Sequence, residues 1–321
     1  MAWNTPKANS MKGTFKDATS FNQPLAGTES SGGDPIIEDV NSPVMTGTQA
    51  FGLANGNSSI EPSNSDFSHG VWIKGTDNTT TQMILNRYNS GITTGMDLFI
   101  ESNLMKVRIE SSSGDYRLLS LPSSSLDGNW HFITVDWVQS TQTFNVYIDD
   151  SAVILTPITS LGTVQLDFTD HAISFGYRQP SSNYFFNGSL AFGYWKNSIL
   201  TAQERTDMYN GGTPKCYASL GVTLDGQWDL SSYNGNTGSE GTDNTGNGND
   251  LSVVGSPSYS DQGLQVECTP SDTTVYPLST LNVAGVGSVY TSNPSFSMAD
   301  LKANGFSWMS YVDFSDAGTK C

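Results

Sequence analysis

Asp243-Asn244-Thr245-Gly246-Asn247-Gly248-Asn249-Asp250 packs two aspartates and three asparagines into eight positions. Hard divalent cations are held by clustered carboxylate, amide and carbonyl oxygens, so Asp243, Asn247, Asn249 and Asp250 are candidate calcium ligands. The alternative is a turn-rich loop in which Asn and Gly supply positive φ angles. Sugar binding asks for different residues, aromatic faces with amides and carboxylates beside them. Tyr177, Tyr184, Phe185 and Trp195, around Ser181-Ser182-Asn183, are the candidates for that role. Most aromatic residues in a β protein are core, so each of them alone is weak. Covalent catalysis finds less to build on. Glu101 and Glu110 sit at strand ends without a paired acid, and Asp136 has no carboxylate at i+2 or i+4. His69, His131 and His171 are scattered, and His-Glu-x-x-His, Gly-x-Ser-x-Gly and phosphate-loop patterns are all missing. Gly285-x-Gly287 lacks the third glycine and the helix that would give it meaning.

These residues must be positioned by a chain of 321 residues, enough for about two domains. Charged residues make up only 14%, Gly, Ser, Thr and Asn are abundant, and helix-forming stretches are scarce, which is an all-β profile. The net charge of −17 repels a phosphate backbone, so nucleic acid and anionic membrane surfaces are excluded as partners. Cys216, Cys268 and Cys321 show no Cys-x-x-Cys spacing. They read as three unpaired thiols of a protein folded in a reducing cytoplasm, with a Cys216–Cys268 bridge as the alternative. The start, Met-Ala-Trp-Asn-Thr-Pro-Lys, lacks the apolar run of a secretory peptide, and no segment approaches ~18 uninterrupted apolar residues. The sequons at Asn57, Asn78 and Asn187 are then chance matches.

The strongest periodicity lies between Leu126 and Asp149. Ile133, Val135 and Trp137 alternate with Thr134 and Asp136, then Phe144, Val146 and Ile148 alternate with Asn145, Tyr147 and Asp149. Two period-2 runs joined by the polar stretch Gln139 to Thr143 predict an antiparallel pair with one buried face. Further strands are expected at Val71 to Lys74, Met83 to Leu85, Met96 to Ile100, Met105 to Ile109, Leu118 to Leu121, Ile173 to Tyr177 and Leu190 to Trp195. Lys106 and Arg108 should face water. Thr201-Ala-Gln-Glu204 is a capping box opening a short helix to Asn210, which Gly211 ends. Residues 26–45, rich in Gly, Ser, Pro and acids, read as a linker.

At Asp127-Gly128-Asn129-Trp130-His131 and Val146-Tyr147-Ile148-Asp149 the chain resembles the laminin-G/pentraxin-like branch of the concanavalin A-like jelly rolls. Asp150 stands where that pattern has glycine. The Thr201 to Asn210 helix fits the same resemblance, as do Phe51 to Phe67 and Val71 to Lys74. It implies a jelly-roll β-sandwich over residues 44–212. Thr223 to Leu230, the Asp243 to Asp250 loop and Phe306 to Val312 resemble the opening of a second, incomplete domain of the same kind over 213–321. Related domains hold calcium in such loops. Glycosidases on this fold carry Glu-x-Asp-x-x-Glu on one strand face, and no glutamate here begins it. His131, within the Trp-His signature, is expected to be hydrogen-bonded inside the fold.

Residues 3–25 are similar to one unit of the BspA-type leucine-rich surface repeats, with Met11, Phe15, Ala18, Phe21 and Leu25 on its apolar positions. A single solenoid unit cannot bury its apolar face without neighbours. Met11, Phe15, Phe21 and Leu25 are therefore expected to anchor an N-terminal arm, 1–43 with its linker, on a partner protein, on symmetry mates of a homo-oligomer, or on the chain's own β-domain. The resulting expectation is a non-enzymatic virion structural protein of a bacteriophage or similar virus (capsid decoration, tail fibre or adhesin). It would sit on the outer surface of the particle among other virion proteins and bind a host-surface glycan. A microbial cell-surface glycan-binding adhesin is the alternative, and a laminarinase-like glycoside hydrolase the third.

Overall fold

The computed structural model describes residues 35–268 except 54–57, 77–79, 90–93, 123–125, 169–170, 180–182 and 234–237, together with the backbone of 281–283 and 289–291. Residues Gly32–Ser271 form one compact unit; Met1–Ser31 and Asp272–Cys321 form another. Of the latter, one ribbon is described, Leu281–Val283 paired antiparallel with Val289–Thr291. The arm residues Met11, Phe15, Phe21 and Leu25, and the strand expected at 306–312, lie outside the described residues.

In chain order the larger unit contains β1 (Ile36–Thr46), β2 (Ala50–Leu53), β3 (Phe67–Thr76), β4 (Gln82–Asn89), β5 (Thr94–Glu101) and β6 (Leu104–Glu110). Then come β7 (Tyr116–Ser120), β8 (Asp127–Val138), β9 (Thr143–Ile148), β10 (Ser151–Ala152), β11 (Thr156–Leu161), β12 (Ile173–Phe175) and β13 (Asn187–Lys196). Helices α1 (Ala202–Tyr209) and α2 (Tyr217–Leu220) precede β14 (Gly226–Trp228), β15 (Ser252–Val254) and β16 (Ser258–Cys268). The first sheet runs β10-β9-β8-β3-β13-β1-β16, with β14 paired to β13; the second runs β11-β7-β6-β5-β4-β12-β2-β15. The interstrand pairs are antiparallel throughout, and the two sheets enclose one core. This is an all-β jelly-roll sandwich.

The period-2 pattern explains the core. Ile133, Val135 and Trp137 on β8 face Phe144, Val146 and Ile148 on β9 in register and turn inward together. Met96, Leu98 and Ile100 do the same from β5, opposite Met105, Val107 and Ile109 of β6. Burying an aliphatic side chain of this size contributes about 1.5–3 kcal/mol, so this seam is the main source of stability. A second apolar cluster covers the outside of the first sheet. There Trp72, Phe132 and Tyr194, with Leu264 and Val266 of the edge strand β16, pack with Leu200 and Met208 of the α1 region and with Leu220, Val222 and Leu224. That layer explains why β3 is buried on both faces, where simple alternation would expose one side.

The capping box forms as expected. The Thr201 hydroxyl accepts from the Glu204 N–H, the Glu204 carboxylate accepts from the Thr201 N–H, and Asn210 ends α1 in the left-handed region at φ 44°. His131 is likewise held within the fold, with Nδ1 2.7 Å from Asp149 and Nε2 3.1 Å from Asp127.

Three expectations are corrected. Residues 36–46 are not linker: β1 pairs with β16 from Ile36 opposite Cys268 to Val44 opposite Ser258. The division at residue 212 falls inside the compact unit. Residues 226–228 pair with β13, 252–254 with β2 and 258–268 with β1, completing the first sandwich rather than opening a second. Cys216 and Cys268 are not free thiols but a disulfide, with Cα atoms 5.1 Å apart, inside the range such a bridge requires.

Candidate functional site

On the outer face of the second sheet the described residues are largely polar, and most of the central ones are buried. Strand registers set one row of residues across it: Gly52 opposite Ser174, Ser174 opposite Asn86, Asn86 opposite Asp97, Asp97 opposite Arg108 and Arg108 opposite Leu118. Their neighbours along β5 and β6 point into the core, so the pleat directs Asp97 and Arg108 outward. Asp97 is fully buried and accepts at both oxygens, Oδ1 from Asn86 Nδ2 at 2.5 Å and Oδ2 from Arg108 Nη2. Arg108, its side chain 24% exposed, closes over that carboxylate and brings Nη1 to 3.9 Å from Glu110. Lys106 donates to Glu101 at 2.7 Å. The two basic residues of β6 therefore do not simply face water. Lys106 is buried and Arg108 half-buried, because acidic partners on the neighbouring strand and on β6 itself draw them onto the sheet.

A short excursion between β12 and β13 forms the wall. The Gly176 N–H donates to the Ile84 carbonyl, Met83 N–H to the Tyr184 carbonyl, and Arg178 N–H to the Asn183 carbonyl. Tyr177 and Phe185 stack, with ring centroids 5.6 Å apart and planes 15° from parallel. Tyr184 between them in sequence is 41% exposed and sits at φ 56°. The Gln179 N–H donates to Asn86 Oδ1 at 3.2 Å, and Ser174 Oγ to the Tyr177 carbonyl at 2.9 Å, which ties wall to floor. Gly52 lets that wall settle. A Cβ there would lie 2.5 Å from the Tyr177 hydroxyl and 2.9 Å from Gln179 Oε1. Gln179 Oε1 is buried without a hydrogen-bond partner, and burial pushes the Tyr177 phenol up, keeping it a donor at neutral pH.

Of the aromatics singled out from sequence, the fold brings Tyr177, Tyr184 and Phe185 together and leaves Trp195 out. Trp195 is fully buried between the sheets, its ring stacked on Phe67 at 4.9 Å and its indole N–H donating to Asn197. It faces core because β13 carries an inward residue at that register. Asn86, Asp97, Arg108, Ser174 and Gln179 escaped the sequence reading. The available signal was a lone acid and a lone base inside apolar strands, and only the strand register shows that they meet.

The Asp243 to Asp250 loop is closed on itself. Asp243 Oδ1 accepts from the Gln227 N–H, the Thr245 N–H and the Thr245 hydroxyl; Oδ2 accepts from the Asn249 N–H and side-chain amide. Asp250 Oδ1 accepts from the Asp243 N–H, and Asn247 Nδ2 donates to the Asp225 carbonyl. Five donors converge on Asp243 where a cation would need bare oxygens, so this donor set does not fit calcium. Among the described residues no group of three or more His, Cys, Asp or Glu side chains is placed to hold a metal ion.

The family profile described as "Clostridium neurotoxin, N-terminal receptor binding" matches residues 32–184, slightly under half of the chain. No curated protein matches. Among solved structures, the receptor binding domain of botulinum neurotoxin C/D mosaic serotype is 18% identical, with a TM-score of 0.38; the match covers 55% of this chain and 46% of that one. A putative carbohydrate binding protein from Bacteroides ovatus is 12% identical, with a TM-score of 0.45, over 71% of this chain and 62% of that one. The Ruminococcus gnavus IT-sialidase CBM40 bound to α2,3 sialyllactose is 11% identical, with a TM-score of 0.40, over 53% and 95%. The chain thus spans about half the length of the neurotoxin domain it matches.

Proposed function

We propose that this chain is a non-catalytic attachment module that grips a glycan on the outer face of its second sheet. The observation that carries the reading is the Asn86–Asp97–Arg108 row walled by the Tyr177/Phe185 stack and the exposed Tyr184. Arg108 is the member of the row that reaches solvent, held on the sheet by the buried Asp97, and the exposed Tyr184 ring offers an apolar platform for a pyranose face. The buried Tyr177 hydroxyl and Gln179 Oε1 lie over Gly52 at one end of the row and brace the wall that carries Tyr184. Asp97 has both oxygens occupied and Glu101 is paired with Lys106, which supports binding over acid–base hydrolysis. The Cys216–Cys268 bridge supports display in an oxidising exterior, on a microbial surface as an adhesin or on the outside of a virus particle.

A glycan array probed with the whole chain, followed by titration calorimetry of the best binder, tests this. Tyr184→Ala, at an exposed position, should fold normally and weaken binding about tenfold, and Arg108→Gln by at least as much. An array without binders, or variants that bind as the parent does, would sink the proposal. Reducing sugar released from β-glucans would restore the hydrolase reading.

A further inference from the structure

Arg87 of β4 points away from that face, into the space between the sheets. Its Cζ lies 4.7 Å from the Trp195 ring centroid and 5.2 Å from that of Phe168, in the angle where the two rings meet edge to face at 5.9 Å. Arg87 is fully buried, and none of its three guanidinium nitrogens has a hydrogen-bond partner. His69, on β3, is also fully buried and lies alongside the same Trp195 ring, centroids 5.8 Å apart. Both its ring nitrogens are without partners as well. Five buried polar nitrogens thus gather around one indole and touch no protein acceptor. Glu61 acts on Arg87 electrostatically but does not hydrogen-bond it. Burial pulls the guanidinium down to about 9, which leaves it a cation at neutral pH, and holds His69 neutral by pulling it to about 3.

We infer that Arg87 and His69 enclose a small monovalent anion of the halide type within the sandwich. A buried guanidinium without an acceptor is strongly disfavoured, and the aromatic faces compensate it only in part. Water would satisfy the N–H groups but bring no charge to the guanidinium, which Glu61 offsets without hydrogen-bonding it; a halide does both. Neutral His69 contributes one further N–H donor, which suits an anion, while its other ring nitrogen is an acceptor that the anion does not engage. The site is independent of the glycan-binding face, since Arg87 and Asn86 project to opposite sides of β4.

The test uses the whole chain. Sodium bromide at ten times its dissociation constant should raise Tm by about 3–5 °C beyond the effect of sodium gluconate at equal ionic strength. Arg87→Met, which keeps contact with both rings, should respond identically to the two salts. Crystals grown in bromide should show an anomalous peak at hydrogen-bonding distance from Arg87, a result that does not depend on the variant folding. A water peak in place of bromide, or equal salt responses in parent and variant, would overturn the inference.

Discussion

Asp136 sits on β8 with its carboxyl under the α1 layer, almost fully buried, and burial pushes it up to about 6 despite help from Ser68, Arg205, the Leu200 N–H and Lys196. Its folded pKa is raised, so the native state holds the proton more tightly than the unfolded chain between about 4 and 6. Stability from this group is therefore present below that window and lost as pH rises through it. Asp136→Asn should stabilise the protein by about 1–3 kcal/mol at pH 7.5 and by nothing near pH 3.5, as read by urea denaturation at both values. An equal effect at the two pH values would place the cause elsewhere. The Asp149-Asp150 turn is a second residue-scale case. Both sit at positive φ, 51° and 62°, the backbone of a two-residue hairpin turn in which glycine is the ordinary choice. Asp150 is used instead because its carboxylate accepts from Arg205 Nε at 2.8 Å and from the Thr206 hydroxyl at 2.7 Å. Asp150→Gly should keep the turn and loosen α1, seen as faster amide exchange confined to residues 202–209. The motif at 146–150 showed the missing glycine; the partners that explain it are 55 and 56 residues away.

At the scale of elements, the β8–β9 hairpin and α1 were readable because their determinants are local. Alternation writes the buried face of a strand directly, and a capping box needs four consecutive residues. Removing the cap with Thr201→Ala should cost about 1 kcal/mol, measured by thermal denaturation, and leave the sandwich intact. β1 and β16 were not readable. β1 looks like linker because it carries Asp, Asn, Ser and Pro, and it becomes a strand only when an eleven-residue partner arrives from the far end of the unit. The disulfide fastens that closing strand to the segment after α1 across a separation of 52 residues. Loop closure of this length is worth about 4 kcal/mol in the chain-entropy account, so reduction, or Cys216→Ser with Cys268→Ser, should lower stability by about 2–4 kcal/mol. A chain whose unfolding midpoint ignores reductant would contradict the bridge.

Across the whole unit the two sheets differ in what lies over them. One is roofed by α1 and the segments up to β14; the other carries a paired polar row, buried except at Arg108, and an aromatic wall with Tyr184 exposed. The Asp243 loop is tied into the unit, since Asn249 also bonds Ser59 and its carbonyl accepts from the Trp228 indole. Millimolar calcium should leave Tm unchanged; a rise beyond about 3 °C, reversed by a chelator, would show that the loop opens to a cation.

Taken alone, the order of residues determined the fold class, the central hairpin, the capped helix and the three clustered aromatics Tyr177, Tyr184 and Phe185, because each depends on spacing within a few positions. Tertiary structure decided where the unit ends, which cysteines join, that Trp195 is core, and that Asp97 meets Arg108. Those outcomes rest on pairing between strands far apart in the chain, and a one-residue change of register would send each of these side chains to the opposite face.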